Sequence, residues 1–451
     1  MKVVQFFVWA LLALMPLAAG VIDLRQMPYS DEVHIVAIDI KVNPTNMPSQ
    51  MLWDDPILMI YRQVPNFISI DVDAMRAEAT EEFQTGQYKP VVLRTKQGQD
   101  LTLHLLNLIG TGDAPERVVQ GVVCKNCKKA YTFGYGQGLE RTRFPFPVSL
   151  HGHGMSYTID NDGTNAGNNV AVNPNNYGLA SPGETRTYYY QKLDSPGIWP
   201  IHDHAHPAHT VTRGLHMALV VEELKAVVPD HDFVIIFSDY PDYDDYQDEF
   251  YSQTFIPAFL HMRNGNVMHA HALNGYAAMM PPRMNKAVAT GHTIYDMMRT
   301  DILPEPRTPV FDVDMGKLVR FRLLSMGSSM ATHSFHIHGH VWYDEAQRKY
   351  RDSVSVPSGE SYELMFYAGG QAFRRNAYTA FRGSTETPVS GFIKRSGAGD
   401  WLYHCHVVPH VKHGMWGLFR VKEVADGADD VIDADNGSTN RRSQGKQEDP
   451  K

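Results

Sequence analysis

Trp401-Leu-Tyr-His-Cys-His-Val-Val-Pro-His-Val-Lys-His-Gly-Met415 opens as a β-strand and then packs one cysteine, four histidines and a methionine into a short span. Side chains at i and i+2 on a strand share a face, so His404 and His406 point one way and Cys405 the other. Two groups of metal-binding side chains then stand back to back across one strand.

The same parity orders His333-Ser-Phe-His-Ile-His-Gly-His340. His333 lies three residues before His336 and so faces away from the pair His336/His338. One side therefore collects His333, Cys405, His410 and Met415: a thiolate, two imidazoles and a weak axial thioether, the donor set of a blue-copper site. The other side collects four His-x-His pairs, His151/His153, His202/His204, His336/His338 and His404/His406. Fifteen of the 22 histidines fall in three segments, His151 to His216, His333 to His340 and His404 to His413. Eight paired imidazoles suffice for three metal ions, and imidazole alone suits copper, zinc, iron or nickel. A zinc site of cysteine and histidine explains neither the eight remaining histidines nor Met415.

Working outward, the 451-residue chain is 43% hydrophobic and 20% charged, ordinary globular usage. Lys plus Arg number 41 against 50 for Asp plus Glu, a net charge of -9 with no long basic run, which argues against nucleic acid as a partner. Three cysteines do not make a disulfide scaffold. Short β-branched and aromatic runs, among them Val91 to Thr95, Val234 to Phe237, Leu318 to Leu323 and Gly417 to Val421, alternate with Gly, Pro, Asn and Asp clusters. The pattern predicts an all-β protein of two Greek-key sandwiches, with one short helix over Val72 to Phe83. A boundary near Val228 to Asp230 divides it into domain 1 over 21–228 and domain 2 over 229–424.

Lys2 followed by an apolar stretch from Val3 to Leu17 and by Ala18, Ala19 and Gly20 reads as an export signal over 1–20, leaving a mature start near Val21. The stretch is too short to span a bilayer, and no later segment is long and apolar enough. The expected destination is periplasmic or extracellular. Residues 425–451 are polar and charged and read as a disordered tail, in which Asn436-Gly437-Ser438 is a glycosylation acceptor only in a eukaryotic secretory pathway.

With these motifs the chain resembles the multicopper oxidases, most closely the small two-domain laccases. The matching stretches are His151-Gly-His-Gly-Met-Ser-Tyr-Thr-Ile-Asp-Asn-Asp-Gly163, Trp199-Pro-Ile-His-Asp-His204, His333 to His340, and Trp401 to Leu418. The resemblance implies two cupredoxin-like domains and four coppers per chain. His333, Cys405, His410 and Met415 would hold the type 1 copper. His151 and His336 would hold the type 2 copper, and His153, His202, His204, His338, His404 and His406 the two type 3 coppers. Only 128 residues separate His204 from His333, too few for the middle domain of the long laccases. The resemblance therefore implies a homotrimer whose trinuclear clusters lie between subunits. Domain 1 carries His-Asp-His where domain 2 carries His-Cys-His, which points away from the copper nitrite reductases, whose blue copper sits in the first domain.

The implied activity is one-electron oxidation of phenols or aromatic amines coupled to four-electron reduction of O2 to water. Met415 as axial ligand implies a low to moderate potential. Asp162, eleven residues after His151, reads either as a proton relay or as a turn aspartate before Gly163. Tyr157 reads as a redox-active phenol or as a half-buried strand tyrosine. His206, His209, His216, His340 and His413 flank the ligands as supporting or merely polar residues. Cys124-Lys-Asn-Cys127 reads as a local disulfide or, less simply, a metal or redox pair. Residues 255–300 hold seven of the 21 methionines with His261, His269, His271 and His292. Thioethers and imidazoles bind Cu(I), so a cuprous oxidase is one alternative, and packing another reading of the same methionines. The acidic run Asp239 to Glu249 offers a further alternative, attraction of Mn(II), beside that of a solvated loop. A non-catalytic copper-binding protein is the alternative from another class, but storage has no need of Cys405 between two histidines of the opposite face.

Overall fold

The computed structural model of the protein describes residues 20–41, 57–112, 117–120, 139–142, 147–164, 166, 178–205, 207–240, 270–278, 283–291, 296–326, 332–370, 397–412 and 414–423. The expected export signal up to Ala19, Cys124 and Cys127, most of the acidic run after Asp239, His206, His413, His261, His269, His292, Met262, Met268, Met279, Met280 and the tail from 425 lie outside them. Among the described residues no helix is long and apolar enough to cross a membrane.

In the first half the strands are β1 (Glu32–Lys41), β2 (Ile57–Val64), β3 (Val92–Lys96), β4 (Leu101–Asn107), β5 (Arg117–Gln120), β6 (Leu139–Thr142), β7 (His151–Gly152), β8 (Thr185–Tyr190), β9 (Gly197–His202) and β10 (His216–Glu222). The second half contributes β11 (His231–Tyr240), β12 (Ala270–Leu273), β13 (Val310–Asp314), β14 (Leu318–Ser325), β15 (His333–Ile337), β16 (Trp342–Asp344), β17 (Lys349–Arg351), β18 (Ser353–Val356), β19 (Ser361–Tyr367), β20 (Gly399–Cys405) and β21 (Trp416–Lys422). The sheets run β2-β1-β4-β8 and β3-β10-β9-β7, then β12-β11-β14-β19 and β13-β21-β20-β15-β18. The second pair repeats the first almost strand for strand, down to the parallel pairs β1/β4, β3/β10, β11/β14 and β13/β21. Parallel neighbours that are distant in sequence require crossovers between sheets. The protein is thus all-β, two cupredoxin-like sandwiches in one chain.

Alternation builds each core. In β4, Leu101, Leu103 and Leu105 are buried while Thr102, His104 and Leu106 are half-buried, as a strand covered on one face demands. In β11 the run Phe233 to Phe237 is buried without alternation. Its odd residues, Phe233, Ile235 and Phe237, enter the second core. Val234 and Ile236 turn outward against Ile198, Ala218 and Val220 of the first half. A strand covered on both faces reads as a continuous apolar run, and here the second cover is the other sandwich.

The helix forms as expected, two residues longer, as α1 (Val72–Thr85). The Asp71 carboxylate accepts from the N–H groups of Asp73 and Ala74, and Gly86 ends the helix at φ 85. Arg76 on its buried face reaches Asp39 at 2.7 Å, which ties α1 to β1.

Candidate metal centres

The four His-x-His pairs do not lie along strands as the parity argument assumed. In each pair the first histidine is at or next to a strand end, and the second lies beyond it, in a turn or bend or, for His204, in an isolated bridge to Thr164. An extended strand spaces i and i+2 along a line, whereas closing a group of four imidazoles requires the chain to bend. For His153 the bend is held by its N–H donating to Pro200 O at 3.0 Å, and for His338 by donation to Leu402 O at 2.9 Å. Parity does hold for the residues inside strands. His333, Phe335 and Ile337 are buried with Tyr403 and Cys405, while His336 and His404 face outward.

Two four-histidine groups result, and they are copies of one another. His151 pairs with His202 in register, as His336 does with His404. His153 and His202 approach through their Nε2 atoms at 3.0 Å, and His338 and His404 at 3.3 Å. His151 Nδ1 donates to Asp162 O at 2.7 Å, and His336 Nδ1 to Asp352 O at 2.7 Å. His202 and His404 donate through Nδ1 to the carbonyls of Asp203 and Cys405. A carbonyl accepts only, so in these four rings Nδ1 carries the proton and the Nε2 lone pair is left for a metal. His204 and His406 complete the groups, with ring centroids 4.7 Å from His151 and 5.5 Å from His336. Burial first, and then the neighbouring rings, lower His202 to about 3, and His404 lies at about 4. Neutral imidazole is the form that binds metal. Among the described residues no ring contact joins one group to the other.

Each group leans on a glycine and a tryptophan. Gly154 and Gly339 both have φ +70, and a Cβ at either would lie about 2 Å from the indole of Trp199 or Trp401. The indole N–H groups donate to Ser195 O and Gly397 O, four residues back.

The thiolate site occupies the core side of the second half. Nδ1 of His410 and of His333 lie 3.4 and 3.9 Å from Cys405 Sγ and 3.2 Å from each other. Met415 is fully buried, and its carbonyl accepts from the Cys405 N–H at 3.0 Å. A thiol and two inward-facing ring nitrogens within a few ångströms, with a thioether on the adjoining residue, fit copper. The matching place in the first half lacks these donors. Asp203 stands for Cys405, Thr210 for His410 and Leu215 for Met415, an equivalence set by the bonds Asp203 N–H to Leu215 O and Leu215 N–H to Thr210 O. The buried Asp203 carboxylate accepts from Ser149 N–H at 2.7 Å and Thr210 Oγ1 at 2.6 Å. Hydrogen bonds fill the position that corresponds to the Cys405 site of the second half.

Sequence reasoning named Asp239 and His271 in other connections but did not place them behind the thiolate site. Asp239 and His271 pair in register across β11 and β12, and His271 Nδ1 donates to Asp239 Oδ1 at 2.5 Å. The His271 ring stacks on His410 at 4.1 Å between centroids, and Asp239 Oδ2 lies 3.3 Å from His333 Nε2. Burial lowers the His333 pKa, but the Asp239 carboxylate outweighs it and pushes the ring up to about 9. Burial raises Asp239, yet His333 and His271 hold it well below the carboxylate range. Only the pairing of β11 with β12 brings these residues together, and no short-range motif announces that. Asp352 escaped for a related reason, following His336 by sixteen residues where Asp162 follows His151 by eleven.

Asp162 and Tyr157 do meet. Tyr157 donates to Asp162 Oδ1 at 3.3 Å and Thr164 to Oδ2 at 2.5 Å, beside His151. Tyr157 is half-buried but lies in the loop after His153, not on a strand. Burial, then Asp162, push its hydroxyl up to about 12. His340 is structural: Nδ1 donates to His338 O, and Nε2 accepts from the N–H groups of Gly369 and Gly370. His216 is buried on β10 with Nε2 3.2 Å from Ser238 Oγ.

Residues 276–425 match the multicopper oxidase family model, a span containing β13 to β21 and the whole thiolate site. A probable nitrite reductase-hydroxylamine oxidoreductase fusion protein of Kuenenia stuttgartiensis is 27% identical over 290 residues, 63% of this chain and 26% of that protein. Mouse hephaestin is 28% identical over 109 residues, 24% of this chain and 7% of hephaestin. The chain thus spans about a quarter of the first relative's length and far less of the second's. A crystal structure of a multicopper oxidase superposes with a TM-score of 0.47 at 17% identity, covering 87% of this chain and 88% of that one. The second half of the chain therefore carries a multicopper oxidase domain, in which the one described cysteine stands between paired histidines.

Proposed function

We propose that the protein is a laccase-like oxidase that takes single electrons from phenols or aromatic amines and delivers them to O2. The observation that carries this is the coexistence of one Cys-His-His-Met site with two matched four-histidine groups, joined through the backbone at His404-Cys405-His406. Bound copper would supply one-electron acceptance at Cys405 and reduction of O2 to water among the eight histidines. His333, Cys405, His410 and Met415 would hold the type 1 ion. His151 and His336 would hold type 2, and His153, His202, His204, His338, His404 and His406 the type 3 pair, four coppers in all. In His151, His202, His336 and His404 the Nδ1 bonds to backbone carbonyls would leave Nε2 free to hold copper. Asp162, with Tyr157 against it and His151 beside it, is placed to pass protons from the loop toward the histidines.

Homotrimeric assembly is part of this reading. A trinuclear cluster needs both four-histidine groups, and the absence of ring contact between them within one described chain favours joining the first group of one subunit to the second group of its neighbour. A mixture of His202→Ala and His404→Ala subunits, each inactive alone, should then recover about a quarter of wild-type activity, since only junctions formed by two intact groups work. Recovery of none would count against shared clusters. Division near residue 228, cleavage of the leader and export to the periplasm or beyond complete the proposal.

A second reading, oxidation of Cu(I), is favoured by one observation. His271 belongs to the methionine- and histidine-rich segment and stacks directly on His410. Oxygen uptake by the copper-loaded protein, measured in parallel with a dimethoxyphenol, Cu(I) and Mn(II), separates the readings. Faster uptake with the phenol supports the laccase-like activity, and preference for a metal ion replaces it with a metal oxidase. Reduction of nitrite instead of O2, or no turnover with any donor, would overturn both.

A further inference from the structure

Away from the copper residues, the sheet β2-β1-β4-β8 carries another group of ligands. His34 on β1 and His104 on β4 are register partners, and Glu32 lies two residues before His34 on the same face. His104 Nε2 is 3.0 Å from Glu32 Oε1. One ligand atom from each of Glu32, His34 and His104 lies within 4.8 Å of the others. The candidate copper histidines lie on or just beyond β7, β9, β15 and β20, in other sheets, so this is a different place on the molecule.

The surroundings hold the group in position. Thr187, the β8 partner of His104, lies 2.9 Å from His104 Nδ1, which engages that nitrogen and turns Nε2 toward Glu32. The rings of His34 and His104 stack at 4.6 Å and 27°, and Phe67 packs edge-on against His34 at 5.0 Å. One divalent ion would satisfy both rings and the carboxylate together. Ligand atoms bonded to a common ion at about 2.0–2.2 Å stand about 3 to 4 Å apart, which this spacing allows.

We propose that Glu32, His34 and His104 form a separate binding site for a divalent ion of borderline softness, Zn(II) or Cu(II). Two imidazoles and a carboxylate are donors for such ions, and the lack of thiolate or thioether disfavours Cu(I). Three protein ligands leave a coordination position open to water or a small anion.

The test is calorimetric titration of the full-length, copper-loaded protein with Zn(II), following the blue absorption to confirm that the copper sites stay filled. One equivalent of Zn(II) should bind beyond the copper complement. Glu32→Gln, His34→Ala and His104→Gln should each weaken that binding about tenfold or more, with blue absorption and oxygen uptake unchanged. Glu32 is solvent-exposed, so its variant keeps the test valid should a histidine variant fold poorly. Absence of saturable Zn(II) binding, or binding that Glu32→Gln leaves as strong as in the wild type, would overturn the assignment and reduce the group to an ion pair beside a stacked ring.

Discussion

Asp239 Oδ2 faces His333 Nε2 at 3.3 Å, and among the described residues neither atom has a hydrogen-bond partner elsewhere. The other nitrogen of His333 faces Cys405. A carboxylate behind a metal-binding imidazole fixes the ring and makes it a stronger donor. Asp239→Asn should therefore raise the reduction potential of the proposed type 1 site and lower oxygen uptake about 10–100-fold, with copper content unchanged. Potentiometric titration of the blue band, with its electron paramagnetic resonance spectrum, checks this. An unmoved potential would leave Asp239 no more than a buried partner for His271.

Cys405→Ser removes the thiolate but keeps a side chain of similar size. The variant should lose the intense blue absorption, about one copper per chain and nearly all steady-state oxygen uptake, while both four-histidine groups still bind metal. Retained blue absorption would refute the assignment of Cys405.

The packing of Trp401 on Gly339 sets up a paired comparison. Gly339 and Gly359 both have positive φ, but an added Cβ meets Trp401 at 2.1 Å in the first case and nothing within 4 Å in the second. Gly359→Ala should cost about 1–2 kcal/mol for the left-handed backbone alone. Gly339→Ala should cost about 1–3 kcal/mol more through overpacking, and should also disturb its neighbour His338 and reduce oxygen uptake. Urea unfolding of the two variants side by side measures the difference, and equal costs would show that Trp401 gives way freely.

Burial lowers the pKa of His216 to about 4. The unfolded chain takes up that proton near 6.5, while the folded chain does not until about 4. Stability present above pH 6.5 is accordingly lost as the pH falls from about 6.5 toward 4, by something of the order of 3 kcal/mol for this residue. In metal-free protein, the urea midpoint of His216→Gln should fall less than that of the wild type over this interval. Parallel curves would mean that His216 does not stay neutral in the fold.

The candidate donors were legible because their spacing is local. Parity within β15 and β20 placed His333 and Cys405 opposite His336 and His404, and the buried and outward positions of those residues agree. Helix α1 was legible over Val72 to Phe83 for the same reason, since helical pattern acts within a few residues. The bends at His153 and His338 were not, because the bonds that hold them reach to Pro200 and Leu402 on other strands.

By itself, then, the sequence determined which side chains are candidate metal donors and, for those inside strands, the face on which they fall, because covalent geometry alternates those faces without help from the rest of the chain. Tertiary structure decided what surrounds them. Only folding sets Asp239 against His333, lays His271 over His410, separates the eight histidines into two matched groups, and fills the first half's empty counterpart of the thiolate site with Asp203 and Thr210. Each of these relationships joins different strands or the loops beyond them, and their pairing is set by the burial of whole sheets rather than by neighbouring residues.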